Sequence, residues 1–162
     1  MPEIALSEMS AEQYAAYTER CLAGYIAEGA RATSMTPEAA EKFGRKQFAQ
    51  LLPDGQQTKG QHFCNLTTPA GEVVGQLWFA EELHLDPPRV FLYEIVIDER
   101  QRGHGFGSLA MRLLEDEARR LGANVVALHV FTHNEGAIRL YQRLGYQTDD
   151  SGKGGMHMSK TL

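Results

Sequence analysis

Apolar positions recur at helical spacing in the first third of the chain and at strand spacing through its middle. Tyr14, Tyr17, Cys21, Leu22 and Tyr25 mark one face of a first helix, and Ser10 with Gln13 forms a capping-box signature at its start. Thr36-Pro37 opens a second helix with proline in its first turn; Ala40, Phe43, Phe48 and Leu51 supply its apolar surface. Leu52-Pro53-Asp54-Gly55 ends it in a turn. Strands are predicted over about 61–67, 72–80 and 89–97, the middle one carrying Val73, Val74, Leu77, Trp78 and Phe79. A helix over 105–121 follows, with Ala110, Leu113, Leu114, Ala118 and Leu121 at helical spacing and Gly122 placed to stop it. A strand over 124–131, a helix over 134–143 and one or two strands within 146–161 complete the chain. Two helices, an antiparallel meander and a β-α-β-α-β run make an α/β fold with a mixed sheet, in one domain spanning 1–162.

One junction in this pattern carries chemistry. Arg102-Gly103-His104-Gly105-Phe106-Gly107 joins the β-branched and aromatic strand Phe91–Ile97 to the third helix. A glycine-rich turn entering a helix lets bare backbone N–H groups approach an anion at the positive end of the helix dipole. The spacing lacks the third-glycine offset of the dinucleotide fingerprint, and no Gly-Lys-Ser/Thr follows as a P-loop requires. A plain glycine-rich loop is the alternative that the residues leave open.

Composition narrows the classes. With 43% hydrophobic and 23% charged residues, the 162-residue chain reads as an ordinary globular domain. No apolar run approaches the ~20 residues of a membrane span, and the N-terminus lacks a signal-peptide pattern. Cys21 and Cys64 have neither metal nor redox spacing and read as small buried residues, which points to a reducing cytoplasm and no metal. The net charge is −5 without a basic stripe, which argues against nucleic acid. Its distribution is uneven. Residues 61–100 hold seven acids against Arg89 and Arg100, whereas residues 101–162 carry a small positive excess around the glycine turn.

A second segment changes the picture. Asn134 is a good N-cap, Ala137 and Tyr141 lie four apart on one helical face, and Gly145 is placed to end the helix before Tyr146. Together with the glycine run, this chain resembles the GNAT superfamily of acyl-CoA-dependent N-acetyltransferases. The family's Gln/Arg-x-x-Gly-x-Gly/Ala motif is matched by Arg102 to Gly107. Its later Asn-x-x-Ala-x-x-x-Tyr motif with a following Gly-aromatic pair is matched by Asn134, Ala137, Tyr141, Gly145 and Tyr146. The resemblance runs from about residue 72 to the C-terminus, with one helix and one strand between the motifs as the family has them. Many relatives carry a proline after the 89–97 strand, where this chain has Asp98-Glu99.

The resemblance implies a set of roles. Backbone N–H groups of Gly103, His104, Gly105, Phe106, Gly107 and Ser108 would hold the coenzyme A pyrophosphate, with Arg102 shaping and charging the turn. The central strands would splay between 93–97 and 125–130, and backbone of Ile95, Val96 and Ile97 would contact pantetheine and the acyl carbonyl. Asn134 would reach the co-substrate, acetyl-CoA, and Tyr141 would donate a proton to the leaving thiolate. The activity implied is acetyl transfer to a primary amine by direct attack in a ternary complex; a non-catalytic acyl-CoA sensor is the alternative, and a nucleotide-binding protein a third class.

An amine at neutral pH is mostly protonated, so attack needs a base. Glu94 is the candidate, as the acid inside an otherwise apolar strand; simple alternation puts it on one face with Leu92 and Val96. His129 and His133 stand in reserve. The acceptor, a small-molecule or peptide amine, is expected to meet the N-terminal helices and the 80–90 loop. There Glu81, Glu82 and Asp86 offer negative charge, and Trp78 and Tyr25 offer cation–π contact. The final strands are a place for a homodimer to form.

Overall fold

The computed structural model describes residues 3–152 and 154–162, the side chains of residues 28, 29 and 31–33 excepted. The chain forms two units, one of Met1–Glu8 with His62–Leu162 and one of Met9–Gln61.

The Met9–Gln61 unit is a helix pair. Helix α1 (Ala11–Thr33) starts at the predicted capping box: the Gln13 N–H donates to Ser10 Oγ at 3.1 Å, and the Ser10 N–H donates to Gln13 Oε1 at 2.8 Å. Helix α2 (Pro37–Leu51) is capped by Thr36, whose hydroxyl accepts from the Ala39 N–H at 3.2 Å. A Cβ at Gly44 would sit 2.9 Å from Ile26 Cγ1, so this glycine fixes how closely the two helices pack.

The other unit is built on a seven-stranded sheet. Its strands are β1 (Ala5–Glu8), β2 (Gln61–Thr67), β3 (Val73–Glu82), β4 (Arg89–Ile97), β5 (Val125–Phe131), β6 (Gln147–Gly152) and β7 (Gly155–Thr161). They lie in the order β1-β2-β3-β4-β5-β7-β6. The β4–β5 pair is parallel, and β1–β2, β3–β4, β5–β7 and β6–β7 are antiparallel, giving the mixed sheet that the element order predicts. Strand β1 is not foreseen in the sequence. It is four residues long with one large apolar side chain, Leu6, and its pairing to β2 through backbone at the sheet edge carries no hydrophobic pattern.

Helices α3 (Phe106–Leu121) and α4 (Glu135–Arg143) cover one face of the sheet. Leu77, Phe79, Val90, Leu92, Val126, Leu128 and Met158 from the strands bury against Phe106, Ala110, Met111, Leu114 and Ala118 of α3 and Tyr141 of α4. Full burial of each large side chain contributes about 1.5–3 kcal/mol. Gly122 ends α3 in the left-handed conformation at φ 96°.

Among the described residues, this core holds one carboxylate. Glu115 of α3 is buried and accepts from the Tyr146 hydroxyl at 3.0 Å and from Lys160 Nζ at 2.9 Å. Burial and the adjacent Glu115 charge both push the Tyr146 phenol up, so it remains the proton donor of the pair. Removing the carboxylate strands the Tyr146 hydroxyl inside the core and leaves the part-buried Lys160 ammonium without its anion. Glu115→Ala is expected to lower unfolding free energy by about 2–4 kcal/mol, read from urea denaturation, with Glu115→Gln losing less because it keeps an acceptor. An unchanged midpoint for the alanine variant would refute this account of the core.

Candidate active site

The chain's central strands part company partway along. β4 pairs with β5 from Arg89↔Val125 to Leu92↔Leu128 and no further, leaving Tyr93–Ile97 unpaired on that side. The cause is visible on β4's other edge. Trp78 pairs with Glu94 but the next residue, Phe79, pairs with Leu92, so Tyr93 is an extra residue forming a bulge. A bulge bends its strand and increases local twist, which here swings β4 away from β5.

The bulge also corrects the strand alternation. Leu92 shares a face with Phe79, and Glu94 shares the opposite face with Trp78, so Leu92 and Glu94 do not lie together. Leu92 points into the core beneath α3, while Glu94 and Val96 belong to the opposite face. Beyond the bulge the pleat decides which backbone groups reach the gap. The Asp98 N–H donates to the Val74 carbonyl on β3 at 2.9 Å, so by alternation Val96 also turns its backbone to β3. Ile95 and Ile97 therefore present theirs to the gap, and Val96 does not. Gly75 makes this approach of strands passable, because a Cβ there would strike the Val96 carbonyl.

The glycine run lies directly beyond. Gly103 and Gly105 both sit at φ 81°, a left-handed conformation that favours glycine, and a Cβ on either would meet nothing within 4 Å. Among the described residues, none of the six successive N–H groups from Gly103 to Ser108 has an acceptor. Six free donors at a helix N-terminus beside open space fit a pyrophosphate. Arg102 holds the turn in place by donating from Nε to the Ile97 carbonyl at 3.0 Å, and His104 Nδ1 contacts the Gln101 carbonyl at 3.1 Å. Phe106 is buried in the core, so only its backbone remains for a ligand. The missing side chain of Gly107 also serves packing. A Cβ there would lie 3.2 Å from Leu140 Cδ2, so its absence lets α3 and α4 meet.

That contact sets the turn beside the helix carrying Tyr141. Asn134 caps α4, its Oδ1 accepting from the Ala137 N–H at 3.4 Å, which leaves its amide N–H groups for a ligand. The Tyr141 ring is buried 5.9 Å from that of Tyr146, and burial pushes its phenol up to about 12. No described residue accepts from or donates to its hydroxyl. Tyr141 thus belongs to the α3/α4 side of the sheet and Glu94 to the other. Gln76 shares Glu94's face, and its Oε1 is buried without a hydrogen-bond partner among the described residues.

Several residues anticipated as acceptor contacts are engaged elsewhere. Glu81 is hydrogen-bonded to His62 Nε2 at 2.6 Å and Glu82 forms an ion pair with Arg89 at 2.7 Å, so both carboxylates already have partners. Trp78 is buried between Phe63 and Tyr93, with ring centroids 5.1 and 4.5 Å away, so both its faces are taken. Tyr25, on α1, is exposed. Cys21 and Cys64 form no disulfide and are half-buried rather than buried, and burial pushes the Cys64 thiol up to about 11. Among the described residues no helix is long and apolar enough to cross a membrane, and no group of three or more His, Cys, Asp or Glu is arranged to hold a metal.

Known proteins share this sequence pattern and this fold. Residues 30–146 match the acetyltransferase (GNAT) family. The chain belongs to that family. It is 33% identical over 142 residues to YdgE of Bacillus subtilis, named an uncharacterized N-acetyltransferase, covering 87% of this chain and 90% of that one. The crystal structure of YycN from the same organism, named an uncharacterized N-acetyltransferase and 31% identical to this chain, superposes with a TM-score of 0.85 over 99% of both chains. At 14% identity, the fold also matches the PaiA N-acetyltransferase of Thermoplasma acidophilum, solved in complex with coenzyme A, with a TM-score of 0.67 over 99% of both chains. This GNAT protein therefore has N-acetyltransferases as relatives over nearly its whole length, and the family uses acetyl-CoA.

Proposed function

We propose that this GNAT protein transfers an acetyl group from acetyl-CoA to a primary amine by direct attack in a ternary complex. One observation carries the reading: the gap between β4 and β5 has a donor-rich anion cradle and Tyr141 on one face of the sheet, and Glu94 on the other. The two substrates reach the same gap from opposite sides.

On the α3/α4 side, the N–H groups of Gly103 to Ser108 hold the pyrophosphate, assisted by Arg102 and by the Asn134 amide. The backbone of Ile95 and Ile97 hydrogen-bonds the pantetheine arm in place of the missing β5 partner. An N–H of this pair aimed at the acyl carbonyl stabilises the tetrahedral oxyanion, a contribution of about 3–4 kcal/mol in comparable sites. Tyr141 gives its proton to the departing sulfur. Its raised affinity for that proton keeps it protonated throughout the working pH range. The thiolate forms in the same desolvated surroundings, which raise its own proton affinity and favour the transfer.

On the other side, Glu94 attracts the ammonium and receives a proton from its nitrogen, directly or through water. Gln76 Oε1 supplies a buried acceptor on that face. The relatives include a Bacillus subtilis spermine/spermidine N(1)-acetyltransferase, 40% identical over 60 residues, so polyamines belong in the first set of amines tried.

Free-thiol release from acetyl-CoA across a panel of primary amines tests this reading. Amine-dependent release with a matching acetylated product is the expected result. Binding of acetyl-CoA without release for any amine would identify an acyl-CoA-binding module instead.

A further inference from the structure

Acetylation of an alkylammonium removes two protons from nitrogen. One leaves before attack, converting R–NH3+ into the nucleophile R–NH2; the second leaves after the N–C bond has formed. As the C–S bond breaks, the thiolate takes one proton from Tyr141, which regains one from solvent, so the net reaction sends one proton to solvent. On the transfer reading given above, Glu94 accounts for one of the two departures and nothing yet accounts for the other.

We propose that His129 accepts the proton that leaves before attack and releases it to solvent at the His157–Asp150 edge of the sheet. Its position is the first argument. Leu128 is the last residue of β5 paired with β4, so His129 is the first residue beyond the fork. The registers Trp78↔Glu94, Ala80↔Phe91 and Phe91↔Ala127 put His129, two residues past Ala127, on the same face as Glu94. It faces the proposed acceptor side, opposite Tyr141.

The second argument is that the fold makes room for this ring. Gly155 of β7 lies under the imidazole, and a Cβ there would strike His129 Nε2. Gly155 does not have a positive φ, and the atoms a Cβ there would meet are the His129 ring and, at 3.3 Å, the Val130 carbonyl. Neither nitrogen of His129 has a hydrogen-bond partner among the described residues, leaving one as an acceptor in the neutral form.

The third argument is the exit. His129 is itself exposed on β5, and beside it the His157 ring stands 5.0 Å away with its Nδ1 2.8 Å from Asp150 Oδ1 on exposed β6. The charged and titratable groups acting on His129 are His157 of β7 and Asp150 of β6, and Glu94 of β4 shares its face of the sheet. Burial and the neighbouring His157 hold the His129 imidazole below its ordinary range, with Asp150 opposing. It is therefore neutral near pH 7 and able to take a proton, and it sheds that proton readily.

The test compares two acceptors with the intact protein. One is the fastest primary alkylamine of the panel, protonated at pH 7; the other is a fluorinated analogue that is neutral at pH 7 and needs only the second proton removed. His129→Gln is expected to lower kcat/KM at least tenfold with the alkylamine and to stay within about threefold of the parent with the neutral amine. The deficit should shrink as pH rises through the alkylamine's own ionisation. Glu94→Gln should slow both amines, and Gly155→Ala, which displaces the ring while keeping it, should reproduce the His129→Gln selectivity. Calorimetric affinity for coenzyme A should be unchanged by His129→Gln. Equal losses with the two amines, or none, would overturn the assignment while leaving acetyl transfer intact. A parent protein that binds acetyl-CoA and releases no thiol with any amine would overturn the transfer reading and this assignment with it.

Discussion

Tyr141→Phe is expected to leave coenzyme A affinity within about twofold of the parent and to cut turnover by roughly 10²–10⁴, the range for loss of a general acid. The ring packs in the core beside Tyr146, and phenylalanine preserves that packing. What is lost is the hydroxyl, which no described residue uses. The stability cost is accordingly small, and circular dichroism melts should nearly coincide. Because burial places the phenol at about 12, its deprotonation produces no alkaline loss of rate at roughly pH 9 or below. Steady-state thiol release together with single-turnover kinetics checks the assignment. Parent-like turnover with chemistry shown to be rate-limiting would remove Tyr141 from the mechanism.

Gly105→Val should abolish coenzyme A binding at concentrations that saturate the parent. Two effects combine. Valine at φ 81° is strained by about 1–3 kcal/mol, and its side chain fills the open space over the free N–H groups. Gly107→Val separates site from scaffold, because its side chain would meet Leu140 and push α3 from α4. The Gly105 variant should therefore lose ligand while melting only a few degrees lower, and the Gly107 variant should lose stability first. Calorimetry with coenzyme A and thermal melts distinguish them. Retained affinity in a folded Gly105→Val protein would sink the anion cradle.

Local chemistry is legible in the chain, and long-range pairing is not. Ser10 and Gln13, Thr36 and Pro37, and Gly122 each act on backbone within a few residues, so their pattern is complete in a short window. The glycine run and the Asn134–Tyr141 helix are legible for the same reason. The Tyr93 bulge is different: it is a register shift between two strands, and nothing in Phe91–Ile97 distinguishes it from regular alternation. Plain alternation therefore puts Glu94 on the wrong face. Glu115 shows the same limit, since its partners are 31 and 45 residues away and meet it only through packing. Glu81 and Glu82 read as available charge because the sequence does not reveal His62 and Arg89 beside them. His129 is one histidine among several until the end of β4–β5 pairing gives it an address.

The parting of β4 and β5 opens an edge inside the sheet. Unpaired N–H and C=O groups usually lie at a sheet's outer strands, where they invite other chains to add on. Here they lie between two flanking strands that stay joined at the Leu92–Leu128 crotch, so a folded neighbour cannot reach them. On the transfer reading, a slender, flexible molecule carrying its own amides takes up these margins. The fold thus turns a feature that elsewhere invites added strands into a berth for a small guest.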